Sequence, residues 1–151
     1  MKKTLAFASL ALLAPLVSAD KHSARVPLLP KYQQECSSCH IAHPPQMLSA
    51  SSWQRLIDNL PRHFGTDASR DPATARDLSA WLGASAGRGR RISDAPPEDR
   101  ITRSSWFVRE HRELGTGIWR HATVRSAGNC DACHGGAARG DFDEDSVRIP
   151  K

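Results

Sequence analysis

Two short runs hold every cysteine in the chain: Cys36-Ser37-Ser38-Cys39-His40 and Cys130-Asp131-Ala132-Cys133-His134. Cys-x-x-Cys-His is the pattern of covalent c-type haem attachment. Each thiol adds to one vinyl group of a porphyrin, and the two intervening residues set the sulfur separation. The adjacent His then lies beneath the ring and donates a nitrogen to iron. Two copies that consume all four cysteines are improbable by accident. The sequence therefore predicts covalent haem attachment at Cys36, Cys39, Cys130 and Cys133, with His40 and His134 as proximal iron ligands.

Three other chemistries fit worse. Disulfides among four cysteines would leave the two trailing histidines unexplained. A zinc site normally draws both Cys-x-x-Cys pairs to one ion, whereas these pairs lie about 90 residues apart and each carries its own His. A thioredoxin-like thiol site wants a βαβ pattern around it, and no such alternation is visible.

The ligand opposite each proximal histidine decides function. Iron with two protein ligands carries electrons, whereas an open position permits gas binding or catalysis. Met47 is the only methionine besides Met1, so at most one iron can have His–Met ligation. The remaining histidines are His22, His43, His63, His111 and His121. Three residues after His40, His43 would share its helical face and could not readily reach the other side of the same ring; it reads as an exposed residue at the haem edge. His63 stands beside Phe64, one turn beyond an amphipathic segment, and is the candidate distal ligand of the first haem. His111 shares a face with Phe107 and Leu114 among charged neighbours and is the candidate for the second. His121 is its main rival, and His22 sits near the start of the expected mature chain.

These residues need elements to position them. Residues 20–35 read as extended, with Pro27 and Pro30 opposing a helix. Ser51 and Gln54 form a capping box for a helix over 51–60, with Trp53, Leu56, Ile57 and Leu60 on one face. Asp71 as N-cap and Pro72 at the first helical position open a second helix bearing Ala75, Leu78, Trp81 and Leu82. Gly83 to Arg100 alternates glycine with arginine and reads as a linker. Ser104 caps a third helix over 105–114, stopped by Gly115. No strand pattern is evident. The predicted fold is mainly α: a small helical protein whose long loops wrap two covalent haems. Its first half spans about 20–82, the linker about 83–100 and the second half about 101–151.

Composition agrees. Lys2-Lys3, an apolar stretch from Leu5 to Val17 and the small residues Ser18-Ala19 predict a signal peptide over 1–19. The stretch is too short to span a bilayer, which takes about 20 residues. The 132 residues that follow would carry a net charge of +3 and only 27 apolar side chains larger than Ala or Cys. That is thin for a core, and two porphyrins would supply the missing apolar surface. The apoprotein is accordingly expected to be poorly ordered. Residues 88–125 carry +4 and residues 126–151 carry −2. The basic stretch suits haem propionates or an acidic partner better than nucleic acid. Asp141, Asp143 and Asp145 have calcium-loop spacing, but Ser146 replaces the required glycine and the chain ends too soon for an EF-hand.

Several strings resemble the small dihaem cytochrome c family. They are Cys-Ser-Ser-Cys-His-Ile-Ala at 36–42 with Pro44-Pro45 and Met47-Leu48 after it, Ser52-Trp53-Gln54-Arg55, His63-Phe64-Gly65, Arg100-Ile101-Thr102, the run from Trp106 to Glu113, and Gly140 to Asp145. Local wording departs at Pro61 and Ser104-Ser105. The resemblance implies a periplasmic electron-transfer protein with two bis-His haems, His63 and His111 matching the histidines outside the attachment motifs. It also implies redox partners: a small oxygen-binding monohaem cytochrome c and a b-type membrane cytochrome. The competing expectation is a haem enzyme or gas sensor with one open iron. A short chain with surplus histidines and no evident catalytic constellation favours the carrier.

Overall fold

A computed structural model describes residues 27–92 and 94–151. The expected signal segment, His22 and the first residues of the expected extended stretch lie outside them.

Among the described residues there are four α-helices: α1 (Pro30–Cys36), α2 (Ala50–Asp58), α3 (Pro72–Ser85) and α4 (Ser105–Glu110). Short 3-10 turns join them, and pairing of the β type is confined to two isolated bridges, His63 with Thr66 and His134 with Val147. The mainly α expectation holds.

Helix α1 replaces part of the stretch expected to be extended. Pro30 occupies its first turn, where a missing N–H costs nothing and the fixed φ suits a helix; the proline starts the helix instead of blocking it. Tyr32 is buried, donates its hydroxyl to the His43 carbonyl at 2.9 Å, and packs its ring 5.2 Å from that of Trp81. Arg70 pairs with Glu35 at 2.6 Å and also donates to the Glu35 carbonyl, which ties α1 to the approach to α3.

Helix α2 begins one residue before Ser51. Its N-cap is Ser49, whose hydroxyl accepts from Ser52 N at 3.3 Å. Gln54 does not reach back to the cap; it bonds Asp58 and Ser79 instead, each at 2.8 Å. Helix α3 opens as expected, with Asp71 accepting from Ala73 N and Thr74 N and Pro72 in its first turn. Leu78 and Leu82 from α3 join Tyr32, Ala42, Leu48, Trp53 and Ala86 in the larger core cluster.

Helix α4 ends at Glu110, four residues short of expectation. From there the backbone tightens into i→i+3 bonds, such as Leu114 N to His111 O at 3.1 Å, a common way for a helix to end. Trp106 and Phe107 face inward with Ile92 to form the second cluster. Ile101 and the 45–48 loop join the two halves. Ile101 packs on both clusters. Trp53 donates its indole N–H to Pro45 O at 2.7 Å, and Trp106 donates to Met47 O at 3.2 Å.

The glycine- and arginine-rich stretch after α3 is packed down onto that loop. Gly87 N donates to Leu48 O at 2.9 Å, and Ala86, Ile92 and Pro96 are buried. A Cβ on Gly87 would lie 2.3 Å from Gln46 O, so only glycine permits this approach.

Candidate functional site

Each Cys-x-x-Cys-His run sits where a helical turn gives way to loop. Cys36 is the last residue of α1 and is half-buried, while Cys39 and His40 are exposed on the loop that follows. The second run begins as a 3-10 turn, Cys130–Ala132, and His134 N donates to Cys130 O at 2.8 Å. The C-terminal segment folds back over it: Arg148 N donates to Cys133 O at 2.9 Å and Val147 bridges His134. No disulfide joins any of the four cysteines. Burial pushes the Cys36 and Cys130 thiols up to about 11. They are thus protonated near neutrality, unlike the low-pKa thiols of redox-active or catalytic cysteines.

The fold gives each attachment motif a second histidine. The ring centroids of His40 and His63 are 6.1 Å apart, and those of His111 and His134 are 6.2 Å apart. Two imidazoles bonded to one ion at about 2 Å from opposite sides put their centroids roughly 6 Å apart. His63 reaches its place because the Leu60–Arg62 3-10 turn ends there, and Phe64 (φ 51°) and Gly65 (φ 93°) reverse the chain directly after it. His111 is the C-cap of α4, on the face that carries Phe107.

Ring nitrogens are oriented in a matching way. His40 Nδ1 lies 2.6 Å from Ile41 O, and His111 Nδ1 lies 2.9 Å from Phe107 O. A proton on Nδ1 donated to a carbonyl leaves Nε2 free as a ligand and fixes the ring. His63 and His134, like His43, each bury an Nδ1 with no protein partner. Burial, followed by the neighbouring His40 and Arg100, lowers the His63 pKa; burial and then His111 lower that of His134. Both histidines are thereby biased toward the neutral imidazole that binds metal.

The other histidines fall elsewhere. His43 is half-buried, correcting the expectation of an exposed residue. Its ring stacks on that of His40 at 5.0 Å and 25°. Burial, then His40 and His63, press its pKa down to about 4. Both ring nitrogens of His121 are engaged, Nδ1 with Thr123 Oγ1 at 2.9 Å and Nε2 with the Lys151 carbonyl at 3.2 Å. Asp141 and Asp143 accept from backbone N–H groups two residues on, as tail turns do.

Sequence reasoning missed three flanking side chains. Trp119 lies 5.9 Å from His111, Phe142 lies 5.3 Å from His134, and Arg100 lies over the Phe64 ring at 4.1 Å. Only an aromatic placed some residues from each histidine hinted at the first two. A groove of about 710 Å³ between α2 and α3 is lined by no cysteine or histidine and is separate from this chemistry.

Paired histidines with free Nε2 atoms, orphaned buried nitrogens, adjacent thiols and aromatic flanks fit a porphyrin iron at each motif. A helical chain, with no strand among the described residues, built around two such sets is a c-type cytochrome in class. Comparison with known proteins agrees: residues 32–142 match the family described as dihaem cytochrome c. The diheme cytochrome c of Shewanella baltica OS155 is 34% identical with a TM-score of 0.72, covering 83% of this chain and 95% of its own. Two structures from Rhodobacter sphaeroides are similar. One is 40% identical with a TM-score of 0.69, covering 79% of this chain and all of its own; the other is 42% identical with a TM-score of 0.67, covering 78% and 99%. No curated protein matches. The chain belongs to the dihaem cytochrome c family, whose members carry two covalent c-type haems and transfer electrons.

Proposed function

We propose that this chain is an exported, periplasmic single-electron shuttle with both irons closed by two histidines. Cys36 and Cys39 hold the first haem, with His40 proximal and His63 distal. Cys130 and Cys133 hold the second, with His134 proximal and His111 distal. The observation that carries this reading is the pair of histidine spacings, 6.1 and 6.2 Å, each joining an attachment motif to a histidine far from it in sequence.

Bound haem supplies an iron that exchanges one electron between its ferrous and ferric states. The chain's own contribution is to keep that exchange simple. The Ile41 and Phe107 carbonyls hold His40 and His111 in one orientation. Phe107, stacked 4.0 Å from His111, and Trp106 behind it exclude water from one side of the second site. Two histidines held to each iron would leave no place for a substrate there, which argues for a carrier and against an enzyme. Among the described residues no helix is long and apolar enough to cross a membrane. A signal peptide cleaved after Ala19 accounts for export, and thioether attachment of haem suits that compartment. The partners that fit are other redox proteins, a small oxygen-binding monohaem cytochrome c and a b-type membrane cytochrome among them.

Carbon monoxide tests the ligation. The reduced holoprotein should leave its Soret band unchanged at neutral pH. His63→Ala and His111→Ala should each admit one equivalent, at different haems. Rapid stoichiometric binding to the unaltered protein, or no binding to either variant, would refute the assignment.

A further inference from the structure

Beside His63 the chain builds a fixed cation. The Phe64 ring lies 4.7 Å from that of His63, and the Arg100 guanidinium lies over the Phe64 ring, 4.1 Å from its centroid. Arg100 Nε donates to Glu98 at 2.8 Å, and the second Glu98 oxygen accepts from Arg103 at 2.9 Å. Glu98 and Asp99 both have positive φ, 58° and 53°, a conformation that side-chain-bearing residues adopt only when the surroundings impose it. Here Arg55 of α2 imposes it, gripping Asp99 through two hydrogen bonds of 2.9 and 2.7 Å. The turn therefore has a fixed aim, and it aims Arg100 at Phe64. One carboxylate against two guanidinium groups leaves the cluster of Glu98, Arg100 and Arg103 with a net positive charge.

The other histidine pair is flanked differently. His111 meets Phe107 and Trp119, and His134 meets Phe142, which stands between Asp141 and Asp143 in the acidic tail. Adding an electron to iron is favoured by a nearby positive charge and opposed by a negative one. We propose that Arg100, aimed by the Glu98–Asp99 turn, raises the potential of the first haem, so that this haem is reduced before the second. The proposal rests on His63 as the distal ligand.

A redox titration of the holoprotein, followed by absorption, resolves two one-electron steps. R100Q should lower the more positive step, cutting the reduced-to-oxidised ratio at a fixed poise by about threefold to tenfold. E98Q should move that same step the opposite way, and R100K should hold it within about twofold. No movement, movement of the lower step alone, or shifts of the same sign in R100Q and E98Q would each overturn the proposal. Should R100Q fail to mature, E98Q and R100K give the answer. Electron paramagnetic resonance of the same samples separates the two ideas. Low-spin bis-His signals with unmoved potentials sink only the role of Arg100, whereas a high-spin first haem in the unaltered protein sinks the ligation beneath it.

Discussion

At the scale of single residues, the histidines divide by what their ring nitrogens do. His121 spends both on Thr123 and the C-terminal residue, so His121→Ala should leave the haem absorption spectrum unchanged. A loss of low-spin bands in that variant would make His121 a ligand. A second expectation concerns acid. The Arg55 guanidinium, hydrogen-bonded to Asp99, holds that carboxyl below its ordinary range. A lowered native pKa adds stability above the unfolded value of about 3.9, and that stability is lost as pH falls through the native value. R55Q should therefore unfold more readily than the unaltered protein above about pH 4, and the difference should vanish in stronger acid. Acid titrations followed by circular dichroism would show it; equal curves throughout would refute it. Gly87 supplies a third. Alanine there drives a Cβ into backbone, and overpacking of this kind costs about 1–3 kcal/mol, measurable as a lowered melting temperature.

Among the elements, caps decide where helices begin and so where the proposed ligands stand. Ser104 accepts from Phe107 N at 3.2 Å and donates to Ile101 O at 2.7 Å, and α4 delivers His111 at its end. Ser104→Ala should cost about 1 kcal/mol, as should Ser49→Ala at α2, while the exposed Ser51 should tolerate alanine with little change. A reversed order for Ser49 and Ser51 in thermal melts would contradict the assigned start of α2. These elements also show what the sequence could disclose. Asp71-Pro72 and Ser104 were legible because each cap acts within three residues of itself. Ser49 and Ser51 are both plausible caps by type, and only burial of Ser52 and Trp53 against the rest of the chain selects between them. Pro30 was misleading because proline opposes a helix interior yet suits its first turn.

For the molecule as a whole, the attachment motifs are legible because the chemistry demands adjacent residues. The proposed partner histidines rest on weaker signals, His63 on its place beside Phe64 after an amphipathic segment and His111 on a face shared with Phe107 and Leu114. His43 was misread as exposed because the 43–45 loop is held by hydrogen bonds from Tyr32 and Trp53, outside the motif. Arg100 could not be foreseen, since its place depends on a turn held from α2. The described core is two modest clusters around a shared loop, which makes the haems part of the packing. Apoprotein produced without haem should therefore show much reduced helical circular dichroism and no cooperative melt; native-like melting would show that the polypeptide core suffices.

The central claim is that both irons are closed by histidine, and electron paramagnetic resonance of the fully oxidised holoprotein at low temperature tests it most directly. The account predicts low-spin ferric signals integrating to two spins per chain, with axial parameters of paired imidazoles. A high-spin signal integrating to one haem would contradict it.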